Sequence, residues 1–301
     1  MTAVATQSQF FKGIVAYGPV LGVIPTLAGV TLNVPENYAI PPIIGNYVQL
    51  SVGQGFINPS LEVDFVFRDV AGELMTPTSG NFASPSSFFD YAHLRSNDSA
   101  YDLASIGNIT IQPTGTADAF VMTGAKISAY SMSCSKGGEI SLHVSFVGTG
   151  LAALSTALVA TAWSNANVLR FKNVNFASPM DNQVWEFGYS YSNNVTPDMC
   201  LNGSEFPAAQ NGGMPTANFN MSTQIKTVNR PDNGPFPAPS SLAAISFTIA
   251  GSYATLTMVG PNPINNVKRN RTIQAPRIMQ AYAATLLGGT GFGLPATIVI
   301  A

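Results

Sequence analysis

Glu62 and Asp64 stand two residues apart in an alternating segment, so a strand there carries both carboxylates on one face. Paired carboxylates can work as acid and base or hold a cation. A solvated acidic face is the plainer reading. His143 lies among serines on the polar side of another alternating run, where an interface histidine is the simpler reading than a general base. Asp90 and His93 have the spacing of helix neighbours and read as a local pair. Lys268, Arg269 and Arg271 form the only basic cluster. It suits phosphate contact, a solvated loop or salt bridges between copies of the chain. The run Gly288-Gly289-Thr290-Gly291-Phe292-Gly293 lacks the Gly-x-Gly-x-x-Gly spacing of a phosphate cradle. There is no His-Glu-x-x-His, Walker loop or Cys-x-x-Cys, and the chain has 2 histidines and 2 cysteines. The sequence therefore assigns no catalytic residue, no metal ligand and no cofactor site.

The composition points away from a dilute enzyme. Of 301 residues only 9% are charged, against about 25% in ordinary soluble domains, while 46% are apolar. The formal net charge of -2 excludes a strongly basic nucleic-acid binder. A surface with so little charge associates readily, and neutral polar groups are cheaper to bury than charges. Self-assembly follows as an expectation; a secreted all-β domain is the alternative. The most apolar stretch, Gly13 to Leu32, contains four glycines and two prolines, so a spanning helix would be broken twice. It reads as extended chain and turns, with no membrane span. With no signal recognised, cytoplasmic synthesis is expected and Cys134 and Cys200 read as free thiols.

Period-two alternation dominates. Leu61, Val63, Phe65 and Phe67 share one face. Tyr130, Met132 and Cys134 alternate with serines up to the turn Lys136-Gly137-Gly138, and Ile140, Leu142, Val144 and Phe146 return, which predicts a hairpin. Trp185, Phe187, Tyr189 and Tyr191 form an aromatic stripe that ends at Asn193-Asn194, and the stripe reads as core or interface. Further strands are expected around Phe219–Ile225, Ile245–Ile249, Ala254–Met258, Ile278–Leu286 and Thr297–Ala301. Helix signals are limited to Ser84–Leu94 and a shorter start at Pro239–Leu242, with Leu151–Trp163 either helix or an extended strap. Pro207–Pro215 and Asn229–Pro239 read as loops. The order helix start, long strand, Gly-Gly turn, closing strand occurs twice, which predicts an internal duplication dividing near 150–172. In this alignment the strand after Gly124 matches the strand after Ala275.

The block Met122 to Ser133, then Gly137-Gly138, then Ser141 to Gly148, resembles tail tube proteins of tailed bacteriophages. Val184 to Val195 and the end, Thr272 to Ala301, resemble that family's second-half strand and closing hairpin. The likeness covers about residues 85–301. It implies a mainly β fold of tandem β-sandwich or barrel-like domains with one or two short helices. The first would be 1–155, with an extended N-terminal arm, and the second 170–301. It further implies rings, trimeric with pseudo-sixfold symmetry or hexameric, that stack around a channel for the genome. Partners would be copies of the chain, other tail proteins (baseplate or tip, terminator, sheath) and DNA passing without tight binding. The place would be the virion tail, assembled in the host cytoplasm. Expected stacking contacts are Ser135, Lys136, Gly137, Gly138 and Glu139 in one turn and Gly288, Gly289 and Phe292 in another. Glu62, Asp64, Lys268, Arg269 and Arg271 are expected to face the lumen or the next ring. A surface carbohydrate- or receptor-binding β-sandwich is the second reading and would show an exposed aromatic platform. A hydrolase, with a cleft of perturbed acids, is the third.

Overall fold

The computed structural model describes residues 14–17, 23–25, 29–34, 36–39, 53–71, 73–75, 77–78, 87–93, 95–96, 99–112, 120–153, 167–177, 184–199, 204–224, 244–265, 270–274, 277–288 and 294–301. The chain is mainly β. The first strands are β1 (Ile14–Tyr17), β2 (Val23–Pro25), β3 (Gly29–Asn33), β4 (Glu36–Ala39), β5 (Gly53–Ile57) and β6 (Ser60–Val66). Helix α1 (Phe88–His93) precedes β7 (Arg95–Ser96), β8 (Ser99–Leu103), β9 (Gly107–Gln112), β10 (Phe120–Ser135), β11 (Ser141–Val147) and β12 (Gly150–Ala153). The later strands begin with β13 (Val174–Phe176), β14 (Val184–Ser192), β15 (Thr196–Asp198), β16 (Ala209–Asn211), β17 (Thr216–Gln224) and β18 (Ile245–Ala250). They end with β19 (Thr255–Gly260), β20 (Asn262–Asn265), β21 (Asn270–Gln274), β22 (Arg277–Leu287) and β23 (Thr297–Ile300). Among the described residues no helix is long and apolar enough to cross a membrane.

One antiparallel sheet organises the molecule. Its long strands run side by side in the order β3, β6, β11, β10, β14, β17, β22. An eighth position is shared by β20 and β21, which pair with the two ends of β22. The first four positions come from the first half of the chain and the last four from the second. The division expected near 150–172 is thus crossed by continuous hydrogen bonding between β10 and β14. Strand β10 also carries a second set of partners. Its N-terminal part, from Phe120, pairs with β9 and β12. Gly124 lies where the registry with β9 slips, at φ 58°, in the left-handed region that glycine enters without a Cβ penalty.

The expected alternation is observed. Leu61, Val63, Phe65, Tyr130, Met132, Leu142, Val144, Phe146, Phe187, Tyr189, Tyr191, Phe219, Met221, Tyr282, Ala284 and Leu286 are all buried on one face. Two lids cover it. Helix α1 lies over Tyr130, with Phe88 and Phe89 edge-on to that ring at 5.9 and 5.6 Å. The helix expected within Ser84–Leu94 runs from Phe88, with Ser87 capping it: Ser87 Oγ accepts from Asp90 N and Asp90 Oδ2 accepts from Ser87 N, each at 3.2 Å. The second lid is a four-stranded sheet, β13-β18-β19-β23. Its Phe247 sits among Phe176, Phe187 and Phe219, with ring centroids 5.6, 5.1 and 6.2 Å away.

Several expectations need correction. The closing hairpin is β21–β22, and β23 leaves it to pair with β19 in the covering sheet. There Ile298 and Ile300 gain a buried face, which the already partnered β22 could not give them. The matched long strands β10 and β22 are separated by two strands of an antiparallel sheet and so run in opposite directions. An operation that preserves strand direction therefore cannot superpose β10 on β22; a shift of four positions preserves direction and takes β10 onto the position shared by β20 and β21. The segment Pro207–Pro215 contains a short strand, β16, paired with β15. Leu151–Ala153 is extended, within β12. The helix start at Pro239 and the loop Asn229–Pro239 lie outside the described residues. Within α1, Asp90 engages Ser87, while His93 Nε2 is in hydrogen-bond contact with the Tyr130 hydroxyl and its ring stacks on Tyr191 at 4.1 Å.

Burial pushes the Tyr130 and Tyr189 phenols above the ordinary tyrosine range, and each neighbouring phenol raises Tyr130 further. A proton held more tightly in the folded than the unfolded chain makes stability fall as pH rises past about 10. Spectrophotometric titration is expected to show these two tyrosines ionising only together with loss of near-ultraviolet circular dichroism. Ionisation near pH 10 with the fold intact would contradict the burial.

Candidate functional site

The opposite face of the long sheet is polar, and the registry sorts it into rows. One row runs Asp64, His143, Ser131, Ser190, Asn218, Thr285. A second runs Thr31, Glu62, Ser145, Ala129, Ser192, Thr216. A third runs Val66, Ser141, Ser133, Gly188, Asn220, Ala283. A fourth, shorter, runs Ser135, Glu186, Ser222, Ala281. No lysine or arginine stands in these four, while the next row, Asn33, Ser60, Val147, Lys126, ends on a lysine. The side chains are short, and several bond across strands: Ser133 Oγ to Ser141 Oγ at 2.8 Å, and Thr285 Oγ1 donating to Asn218 Oδ1 at 3.1 Å. His143 Nδ1 lies 2.7 Å from Asp64 Oδ1, both about half exposed. Such pairs hold the hydroxyls and amides close to the sheet, so the face is wettable yet low in relief.

A depression of about 490 Å3 opens on this face, lined among others by Ser131, Ser133, Ser141, Ser190, Asn220, Glu139 and Glu186. Neither histidine nor lysine lines it. The hollow offers serine hydroxyls and the carboxylates of Glu139 and Glu186, and its Ser131 stands opposite His143 in the adjacent strand. Among the described residues no group of three or more His, Cys, Asp or Glu could hold a metal ion. The aromatic stripe is turned inward, Phe187, Tyr189 and Tyr191 being buried. Trp185 is half-buried, and Lys136 Nζ lies 3.8 Å from its ring centroid. The stripe therefore offers no flat platform for a sugar.

The sequence-predicted residues fall into distinct places. Ser135, Lys136, Gly137, Gly138 and Glu139 form the tight turn after β10, with Gly137 at φ 82° and Gly138 N donating to Ser135 O at 2.8 Å. Glu139 receives Arg170 Nη2 at 3.2 Å. Gly288 follows β22 at the other end of the sheet, since β22 pairs through Leu286 with Ala217, near the start of β17. Gly289, Phe292, Lys268 and Arg269 lie outside the described residues. Arg271 lies in β21 opposite Gln280. Glu62 and Asp64 share the polar face as predicted, in adjacent rows. Cys134 is buried, its thiol directed to the carbonyls of Ser135 and Gly138, and burial raises its pKa to about 11. Cys200 lies outside the described residues.

Two features escaped the sequence reading. Asp69 is buried and accepts from the backbone N–H groups of Ser252, Tyr253 and Ala254, tying the end of β6 to the β18–β19 turn. Asn193, also buried, donates from Nδ2 to Ala92 O at 2.9 Å and Ile127 O at 2.7 Å, tying α1 to β10. An Asn in an Asn-Asn turn was the one local signal; for Asp69 the sequence holds none.

Neither protein-family models nor curated proteins give a match to this chain.

Proposed function

We propose that the chain is the structural subunit of a bacteriophage tail tube, present in the virion tail and assembled in the host cytoplasm. Its polar sheet face lines a bore through which the genome passes. The observation that carries this reading is the set of four central cross-strand rows, made of short side chains that are mostly neutral or acidic, with no Lys or Arg among them and one lysine, Lys126, in the row beyond. Each Lys or Arg contact with a phosphate releases counterions and adds grip, so a face this poor in them lets DNA slide. The antiparallel order of eight positions supports a trimeric ring. Three chains bring about two dozen strands, and a shift of four positions keeps strand direction, as a pseudo-sixfold ring requires. In such a ring the β3 edge of one copy meets the β20/β21 edge of the next in antiparallel sense, closing the sheet on itself and removing its edges. Other tail proteins cap the two ends.

Purified chain is expected to form rings and tubes about ten nanometres wide with a stain-filled centre, seen by negative-stain microscopy and as large species in sedimentation velocity. A chain that stays monomeric at high concentration overturns the reading, and so does a solid filament.

A further inference from the structure

One row of the polar face sets an acid, an imidazole and a hydroxyl side by side. Asp64 stands opposite His143 across β6 and β11, and His143 stands opposite Ser131 across β11 and β10. Facing residues of an antiparallel pair have Cβ atoms about 4.5–5.5 Å apart. His143 Nδ1 donates to Asp64 Oδ1 at 2.7 Å, which sets the tautomer and leaves Nε2 as the basic ring nitrogen. Ser131 lines the hollow of about 490 Å3 while His143 and Asp64 stand outside it, so the hydroxyl lies between the imidazole and the space a ligand can fill. On the other side of Ser131 stands Ser190, and beyond it Asn218. Asn218 Oδ1 accepts from Thr285 Oγ1 at 3.1 Å, which leaves Nδ2 as the donor of that amide. Gly188 lines the hollow between Ser133 and Asn220, and a Cβ there would lie 2.6 Å from Asn220 Oδ1. The missing side chain keeps that space open.

We propose that this row is a hydrolytic site for a small carboxylic ester, with Ser131 as nucleophile, His143 as base and Asp64 as the residue that positions the imidazole. One chain supplies every group, so the site is independent of assembly into a tube. A serine hydroxyl is a weak nucleophile until an adjacent base takes its proton. Here Nε2 takes the Ser131 proton as Oγ bonds to the ester carbonyl carbon, and the carbonyl electron pair moves onto oxygen. The Ser190 hydroxyl and Asn218 Nδ2 donate to that oxyanion. The pair then returns, the bond to the alcohol oxygen breaks, and Nε2 gives its proton to the departing alkoxide. Water, deprotonated by the same nitrogen, attacks the acyl-serine, and the acid leaves as Ser131 recovers its proton. The carboxylates of Glu139 and Glu186 in the hollow repel an anionic ester and suit the ester of an amino alcohol.

The full chain is treated with a fluorophosphonate, which forms an Oγ–P bond to an activated serine with loss of fluoride, and separately with para-nitrophenyl acetate. Peptide mass spectrometry is expected to place the adduct on Ser131. Ser131→Ala removes the adduct and the serine-dependent release of nitrophenolate. His143→Gln lowers both about a hundredfold or more. Asp64→Asn lowers kcat about tenfold or more and leaves KM unchanged, and Asp64→Glu recovers part of the loss, as expected of a positioning residue. Ser246→Ala, on the outward face of the covering sheet, changes neither readout. Circular dichroism confirms that each variant is folded, the three altered side chains of the row being half-buried on the polar face. A choline ester is expected to compete with the nitrophenyl ester better than an anionic ester of similar size; the reverse order overturns the substrate class. An unaltered chain without adduct on Ser131 overturns the site. So does hydrolysis that survives Ser131→Ala, or labelling that is equal in His143→Gln. Negative-stain images of the same sample test the tube separately, so the failure of one leaves the other standing.

Discussion

Tubes built from chains carrying Ser131→Lys, Ser190→Lys and Asn218→Lys will seize linear double-stranded DNA that tubes of the unaltered chain release. The three positions are consecutive in one cross-strand row, Ser131 opposite Ser190 and Ser190 opposite Asn218. None points into the core, the first two being half-buried and the third exposed on the polar face, so the fold is expected to survive. In the proposed tube each ring would gain three cations from every subunit, all at one height in the bore. A protein making about six to ten phosphate contacts loses roughly 10³–10⁵ in affinity between 50 and 200 mM salt, so the gain will be largest in dilute buffer and will collapse with added salt. Co-sedimentation of fluorescent duplex with assembled tubes measures it. A linear duplex can thread a bore and a closed circle cannot. Retention of the linear form alone is the expected result; equal retention of circles would put the row on the outside of the assembly.

Replacing Phe247 by alanine will cost about 3–5 kcal/mol of subunit stability, the usual penalty for emptying a buried phenylalanine site. The ring is fully buried and is the centre of the contact between the long sheet and its covering sheet, touching Phe176, Phe187 and Phe219. Those three rings belong to different strands, so the hole cannot close by moving one side chain. Denaturant midpoints read the effect. Thr257→Ala, on the outward face of the neighbouring strand, is the comparison and should stay within about 0.5 kcal/mol. A loss at Phe247 no larger than at Thr257 would mean that the covering sheet does not pack there.

What could be read beforehand follows from how far each feature reaches along the chain. The burial of Tyr130, Met132 and Cys134 against exposed or half-exposed serines is a property of one strand and is written in its alternation. The hairpin around Gly137 and the start of α1 at Ser87 are likewise local. The rows on the polar face were not legible as rows: each strand showed its serines, but which serine stands beside which asparagine depends on registry between segments up to a hundred residues apart. Strand β23 misled for the same reason. Its alternation was clear, yet nothing within it says that Leu256, rather than Leu286, is its neighbour's residue. Of the site itself, the acidic pair Glu62 and Asp64 and the turn Ser135–Glu139 were visible.

The pairing of β10 with β14 also has a consequence for synthesis. When β10 and β11 have left the ribosome, the edge of β10 from Ala129 to Ser135 is bare, and it stays so until the chain has been made through Ser192. Each later strand covers one edge and presents another, ending only with β20 to β22. Nascent chains crowded on one message therefore expose matching, sticky borders to each other for most of translation. Slowing elongation downstream of residue 147 should lower the yield of soluble subunit, and a holding chaperone should restore it.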